Sequence, residues 1–104
     1  MNKERNVIMK VYIAGKISGC PEYKEIFEAA AKKVISMGNE PVIPYKGTSG
    51  RETYKEYIDH GLSLLKDCDA IFMLRNWPDS RGATLERMYA EVVDIPIIEE
   101  RIDI

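Results

Sequence analysis

The sequence predicts a single α/β domain in which helices flank a parallel β-sheet. Its 104 residues suit one domain. Short apolar segments alternate with longer segments in which apolar residues recur at helical spacing. Residues 69–74 hold a continuous apolar run, as buried parallel strands do. We therefore expect about four to five strands joined by right-handed crossovers, in a Rossmann-like or flavodoxin-like arrangement.

The chain begins with a segment for which no regular structure is predicted. An apolar, β-branched strand is predicted over residues 7–15, with Met9 as an alternative start because the strand is already complete from there. Residues 1–8 are expected to be a flexible tail of a domain that spans residues 1–104. They also lack the apolar segment of a signal peptide.

Prolines and glycines mark the ends of the next elements. Pro21 suits the first turn of a helix, and Gly38 suits the position after its last turn. Two prolines lie within residues 40–45, which favours an edge position for this second strand. The remaining elements are predicted as a helix over residues 52–66, a strand over 69–74, a helix over 80–93 and a strand over 95–98.

Composition and charge exclude several classes of protein. A net charge of −2 argues against binding of nucleic acid polymers, which requires clustered Lys and Arg. No apolar segment approaches the roughly 18 residues of a membrane span, so we predict no membrane partner and a cytoplasmic location. Cys20 and Cys68 are far apart, and the chain has one histidine. This pattern predicts reduced thiols, no metal site and no cofactor.

A glycine-flanked loop follows the first predicted strand. Residues 15–19 read Gly-Lys-Ile-Ser-Gly and lead toward a helix. Backbone amides and the helix dipole at such a place can bind an anion, so Gly15, Lys16 and Ser18 are candidate binding residues. The spacing matches neither the nucleoside-triphosphate nor the dinucleotide fingerprint. The alternative is a plain turn with a solvated lysine.

A single carboxylate follows the third predicted strand. Glu86 comes after a loop dense in turn residues, and ligands of open α/β sheets bind at such carboxyl ends. Gly82 and Ala83 leave little bulk before it, so a substrate could approach closely, while Ser80 or Asp79 can cap the helix. A carboxylate there can act as a nucleophile toward a sugar carbon. The alternative is a solvated glutamate on an amphipathic helix.

Two aromatic residues have both a binding and a packing interpretation. Trp77 lies in the loop before Glu86, where it could stack on a base or cover the hydrophobic core. Tyr12 alternates with apolar residues on the first strand, so its hydroxyl could reach a ligand or the residue could simply pack.

Three segments together carry a resemblance to a known superfamily. They are residues 11–15 (VYIAG), residues 68–74 (CDAIFML) and residues 77–86 (WPDSRGATLE) followed by Ala90. In their order and spacing the chain resembles the nucleoside 2-deoxyribosyltransferase superfamily, over nearly the whole length from Met9 to Ile98.

The resemblance implies a chemistry and roles for the candidate residues. It places the nucleophilic glutamate of the superfamily on Glu86, which would attack the anomeric carbon, release the nucleobase and form a glycosyl-enzyme ester. A second base or water would then accept the sugar, with a logic parallel to retaining glycosidases. Ser80, Lys16 and Ser18 fall on residues that hold a 5′-phosphate in the nucleoside-monophosphate hydrolase branch, and Tyr12 falls on an aromatic residue near the sugar and base.

The resemblance also implies a nucleoside or nucleotide as substrate and a homodimer or larger homo-oligomer with shared sites. The sequence departs from the superfamily pattern at two points. Gly61 stands where an aspartate assists at the sugar, and residues 97–104 offer neither the Asn nor the Ser that a neighbouring subunit often supplies. A catalytically inactive nucleotide-binding module is therefore the alternative function.

Overall fold

A four-stranded parallel sheet organises the chain in the computed structural model, which describes residues 8–101. The strands lie in the order β2-β1-β3-β4. In chain order the elements are β1 (Lys10–Ala14), α1 (Tyr23–Ser36), β2 (Glu40–Val42), α2 (Tyr54–Leu65), β3 (Ala70–Met73), a 3₁₀ turn (Trp77–Asp79), α3 (Arg81–Val92) and β4 (Ile97–Glu99). The predicted fold class is thereby confirmed, with four strands, and β2 has the predicted edge position.

The central strands β1 and β3 bury both of their faces. Side chains of a strand alternate between its two faces, so Val11 and Ile13 of β1 pack in one cluster with Phe27 of α1. Tyr12 and Ala14 point the other way, into a second cluster with residues of α2 and α3. The sheet is therefore covered by α1 on one face and by α2 and α3 on the other.

All four strands differ from the predicted ranges at their ends. The first and third are shorter than predicted, with β1 over Lys10–Ala14 and β3 over Ala70–Met73. The second strand was expected to reach residue 45 but ends at Val42, because successive turns follow in which the Ile43 and Tyr45 carbonyls accept hydrogen bonds from Lys46 and Thr48. The last strand was expected over residues 95–98 but covers Ile97–Glu99.

The late start of β4 follows from the way α3 ends. The Ile95 amide donates to the Ala90 carbonyl, and Asp94 adopts a left-handed backbone with φ of 63°. Such a residue terminates a helix and uses the next amides to satisfy its last carbonyls. The predicted tail over residues 1–8 lies outside the described residues except for Ile8. Within residues 8–101, no helix is long and apolar enough to cross a membrane.

Side-chain caps fix the first turns of α2 and α3. The Thr53 hydroxyl accepts from the Glu56 amide at 3.1 Å, and the Glu56 carboxylate accepts from the Thr53 amide at 2.9 Å, which forms a capping box. The Ser80 hydroxyl accepts from the Ala83 amide at 3.1 Å. These caps hold rigidly the two helix starts that face the carboxyl edge of the sheet.

Candidate functional site

The main cavity lies at the carboxyl ends of β1 and β3, where the strand order reverses. β1 connects to β2 on one side, whereas β3 connects to β4 on the other, and open α/β sheets bind ligands at such a switch point. The cavity measures about 510 Å³, within the usual range for small-molecule sites. Six predicted site residues line it together: Gly15, Lys16, Ser18, Ser80, Gly82 and Glu86.

Glu86 is a buried carboxylate at the wall of this cavity. It lies on the sheet-facing side of α3 and is only 6 % exposed. Its Oε2 accepts a hydrogen bond of 2.5 Å from the Tyr12 hydroxyl on β1. Burial raises the pKa of Glu86 to about 7, while the hydrogen bond from Tyr12 acts in the opposite direction. The alternative of a solvated glutamate is therefore wrong.

The Tyr12–Glu86 pair can keep one carboxylate reactive near neutral pH. Burial and the neighbouring Glu86 charge raise the pKa of Tyr12 well above its usual range, so its hydroxyl stays protonated and donates. Since the pKa of Glu86 is about 7, a large fraction of the carboxylate is ionised at neutral pH. The second oxygen, Oε1, has no hydrogen bond among the described residues. The pair thus presents an oriented carboxylate that can serve as nucleophile or base.

Gly61 on α2 leaves the space that this pair occupies. A Cβ at residue 61 would lie 2.7 Å from Glu86 Oε2 and 2.7 Å from the Tyr12 hydroxyl oxygen. Real Cβ atoms essentially never approach other heavy atoms so closely. Glycine in place of the aspartate of the superfamily pattern therefore has a steric reason, since any side chain at residue 61 would displace the Tyr12–Glu86 pair.

The loops after β1 and β3 are joined to each other. Asn76 follows β3, and its Oδ1 accepts a hydrogen bond of 3.0 Å from the Lys16 amide. A Cβ at Gly15 would lie 2.5 Å from Leu74 Cδ1, so the backbone can pass this close to β3 only as glycine. Gly15 is thus required for packing of the loop, and the joined loops hold Lys16 at the cavity.

The start of α3 contributes polar and cationic groups. The Ser80 hydroxyl uses a lone pair to cap the helix, which leaves its proton free to donate to a ligand. The Arg81 guanidinium lies 5.3 Å from the centre of the Tyr54 ring, and both residues line the cavity. Lys16 and Arg81 give the cavity two cationic side chains.

Two predicted site residues lie behind or beside the cavity instead of lining it. Tyr12 is fully buried and contacts Glu86, so it can reach a ligand only through that carboxylate. Trp77 packs against the second core cluster, with the Arg87 guanidinium 4.9 Å from its ring centre. This placement supports the alternative that Trp77 covers the hydrophobic core, whereas a contact between Trp77 and a base stays a prediction.

Several lining residues were not predicted from the sequence. Tyr54 and Tyr57 lie on α2, at a spacing that is also typical of a packing face, and Arg81 begins α3. The available signal was spacing, because Tyr57 and Gly61 are one helical turn apart and so share a face of α2. In the part of the chain that the structure describes, no group of three or more His, Cys, Asp or Glu residues could hold a metal ion.

Comparison with known proteins agrees with this fold. The family model described as "Domain of unknown function (DUF4406)" matches residues 9–99. The fold is similar to the solved structure of a 2-deoxyribosyltransferase from the psychrotolerant bacterium Bacillus psychrosaccharolyticus, with a TM-score of 0.68 and 16 % identity. That similarity covers 90 % of this chain and 77 % of the other. No curated protein matches the sequence. Because the family model covers nearly the whole chain, the chain belongs to the DUF4406 family.

Proposed function

We propose that the chain cleaves or exchanges the N-glycosidic bond of a nucleoside or 5′-nucleotide, with Glu86 as the nucleophile. The observation that carries the proposal is the buried Glu86 carboxylate, which Tyr12 orients at the wall of a cavity large enough for a nucleoside. The structural neighbour, a 2-deoxyribosyltransferase described as a biocatalyst for the synthesis of nucleosides, supports a substrate of this class.

The proposed reaction has two displacement steps at one carbon. Glu86 Oε1 attacks the anomeric carbon, and the bond from this carbon to the base nitrogen breaks, so the base leaves with the electron pair. Water or a second base then attacks the same carbon from the vacated side, and the ester bond breaks to restore the Glu86 carboxylate. The attacking group gives up one proton, and the departed base takes up one. Tyr12 is a positioning residue, since its bond to Oε2 leaves Oε1 free for the sugar.

The residues at the mouth of the cavity would bind the rest of the substrate. Lys16 and the amides of its loop suit a 5′-phosphate or 5′-hydroxyl, and Ser18 lies on the same loop. The Ser80 hydroxyl can donate a hydrogen bond to the same group. Gly82 keeps the approach to Glu86 open. The passage is narrow, since a Cβ at residue 82 would lie 2.9 Å from Ile58 Cδ1.

A nucleotide-binding module without catalysis is the second candidate. The observation in its favour is Gly61, which supplies no carboxylate to the sugar and has no room for one. Under this alternative, Glu86→Gln would leave nucleotide binding nearly unchanged, and no base would be released by either protein.

Base release tests the two candidates. The protein is incubated with ribo- and deoxyribonucleosides and their 5′-monophosphates, with and without a free acceptor base, and the bases are separated by chromatography. We expect release that falls at least about 1,000-fold in Glu86→Gln and in Glu86→Ala, because the nucleophile is lost. Glu91→Gln, on the same helix but outside the cavity, should retain activity. If calorimetry detects nucleotide binding while no base is released, the enzyme proposal is wrong.

We also propose that a second copy of the chain packs on α3. Leu85, Met88 and Val92 are 42 %, 55 % and 81 % exposed, on the face turned away from Glu86. The solvent face of a helix that packs on a sheet is normally polar. A two-fold antiparallel pairing of α3 with its copy would bury this face and bring the Arg81 end of each helix toward the Glu91 end of the other.

Replacing Met88 tests this interface. We expect the wild-type protein to sediment as a dimer or larger assembly and Met88→Lys as a monomer, because a charge at the centre of an apolar interface must be desolvated. Ile35→Lys is the matched control, since Ile35 is 58 % exposed on α1, away from this face. A wild-type monomer at all concentrations would contradict the proposal.

A further inference from the structure

Tyr57 lines the cavity and carries a buried hydroxyl that no described protein group uses. It lies one helical turn before Gly61 on α2, so the two residues share a helix face. Gly61 contacts the Tyr12–Glu86 pair, and Tyr57 lines the same cavity as Glu86. The Tyr57 hydroxyl oxygen is buried and has no hydrogen-bond partner among residues 8–101.

An unpartnered buried hydroxyl needs an explanation. Native structures pair the large majority of their buried polar side-chain atoms, because a lost hydrogen bond to water is otherwise not replaced. Burial, with a smaller contribution from the Glu86 charge, raises the pKa of Tyr57, so the group stays protonated and can donate as well as accept. Because Tyr57 lines the cavity, a bound ligand can supply the missing partner once the side chain turns its buried hydroxyl toward it.

The chemistry at Glu86 identifies the ligand group. When a carboxylate faces the anomeric carbon of a pentose, the sugar hydroxyl nearest to it is the one on the adjacent carbon, the 2′-hydroxyl. We propose that the Tyr57 hydroxyl binds the 2′-hydroxyl of the pentose, so that the site takes ribosyl in preference to 2-deoxyribosyl substrates; this inference rests on the proposed function. Tyr57 is then a specificity-determining residue.

Tyr57→Phe removes only the hydroxyl. For ribonucleoside 5′-monophosphates we expect kcat/KM to fall about 10- to 100-fold, because one buried hydrogen bond is lost. For the 2′-deoxy counterparts kcat/KM should change less than about 3-fold, since these substrates have no 2′-hydroxyl to make this bond. The ratio of ribo to deoxy activity therefore collapses. The unfolding midpoint of the unliganded variant should not decrease, because the hydroxyl has no partner in the protein.

Two controls separate this role from a structural one and from the proposed reaction. Tyr45→Phe removes a second buried, unpartnered hydroxyl, which lies outside the cavity, and should keep the wild-type ratio. Affinities of the same ribo and deoxy monophosphates are also measured by calorimetry in a Glu86→Gln background, where turnover is not needed.

The outcomes then distinguish the two proposals. Loss of ribo-over-deoxy discrimination in binding, without base release by the wild-type protein, would support the role of Tyr57 and reject the reaction. Base release with an unchanged ratio in Tyr57→Phe, or a wild-type preference for deoxy substrates, would overturn the role of Tyr57 alone. Failure of every monophosphate to bind would overturn both.

Discussion

Above pH 7, the Glu86→Gln protein is expected to be more stable than the wild type by about 3 kcal/mol, because the pKa of Glu86 is about 7 in the fold against an ordinary value of 4.5. Below pH 4.5 the carboxyl is neutral in the folded and unfolded chains alike. Between pH 4.5 and 7 the folded chain keeps a proton that the unfolded chain releases, so the wild type loses stability as the pH rises. Above pH 7 the difference is constant.

Denaturant unfolding between pH 4.5 and 8 measures this effect. Wild type and Glu86→Gln should have similar free energies of unfolding at pH 4.5 and diverge steadily up to pH 7. Glu28→Gln, at an exposed position on α1, should follow the wild type throughout. Parallel curves for Glu86→Gln and wild type would show that Glu86 is not held in a desolvated site.

Gly61→Ala is expected to destabilise the protein although alanine is the better helix former. The added Cβ would lie 2.7 Å from two oxygens that are hydrogen-bonded to each other and buried, so neither can move aside freely. Overpacking of this kind costs about 1–3 kcal/mol, and separation of Tyr12 from Glu86 adds to it, against a gain in helix propensity of at most about 1 kcal/mol. We expect a net loss of about 2 kcal/mol.

A double-mutant cycle with Tyr12→Phe tests the cause. Removal of the Tyr12 hydroxyl abolishes one of the two close contacts of the added Cβ. The changes in the free energy of unfolding caused by Gly61→Ala and by Tyr12→Phe should therefore not be additive. Gly82→Ala is the matched control because its Cβ would meet the far end of a flexible side chain, Ile58 Cδ1. A Gly61→Ala protein as stable as wild type, or additive effects in the cycle, would contradict the proposed crowding.

The parallel sheet, the edge position of β2 and the placement of the helices were predictable because they follow from patterns that the sequence displays. The apolar segments, the prolines around β2 and the glycine after α1 each leave a local signal. The exact strand ends were not predictable in the same way. The start of β4 depends on the left-handed backbone at Asp94, where the sequence has an aspartate and not the glycine that usually marks such a turn.

The candidate site was predictable wherever its residues lie on loops next to strand ends. Lys16 and Ser80 are of this kind, Glu86 lies in the second turn of the helix that follows such a loop, and all three line one cavity. Tyr57 was not, because its spacing on α2 fits a packing face equally well. For Trp77 the sequence left stacking on a base and packing on the core both open, because a loop predicted from sequence does not fix the direction of a side chain; in the structure the residue packs on the second core cluster.

The crowding around Gly61 also restricts the order in which substitutions can accumulate. An aspartate at residue 61, as the superfamily pattern has, needs a Cβ where Glu86 Oε2 and the Tyr12 hydroxyl now lie. A lineage, or a directed-evolution library, that moves toward aspartate at residue 61 must therefore first change the side chain at residue 12 or shift Glu86. The intermediate variants would lack the hydrogen bond by which Tyr12 orients the Glu86 carboxylate. Libraries that randomise residues 12, 61 and 86 together should reach combinations that stepwise selection at residue 61 does not.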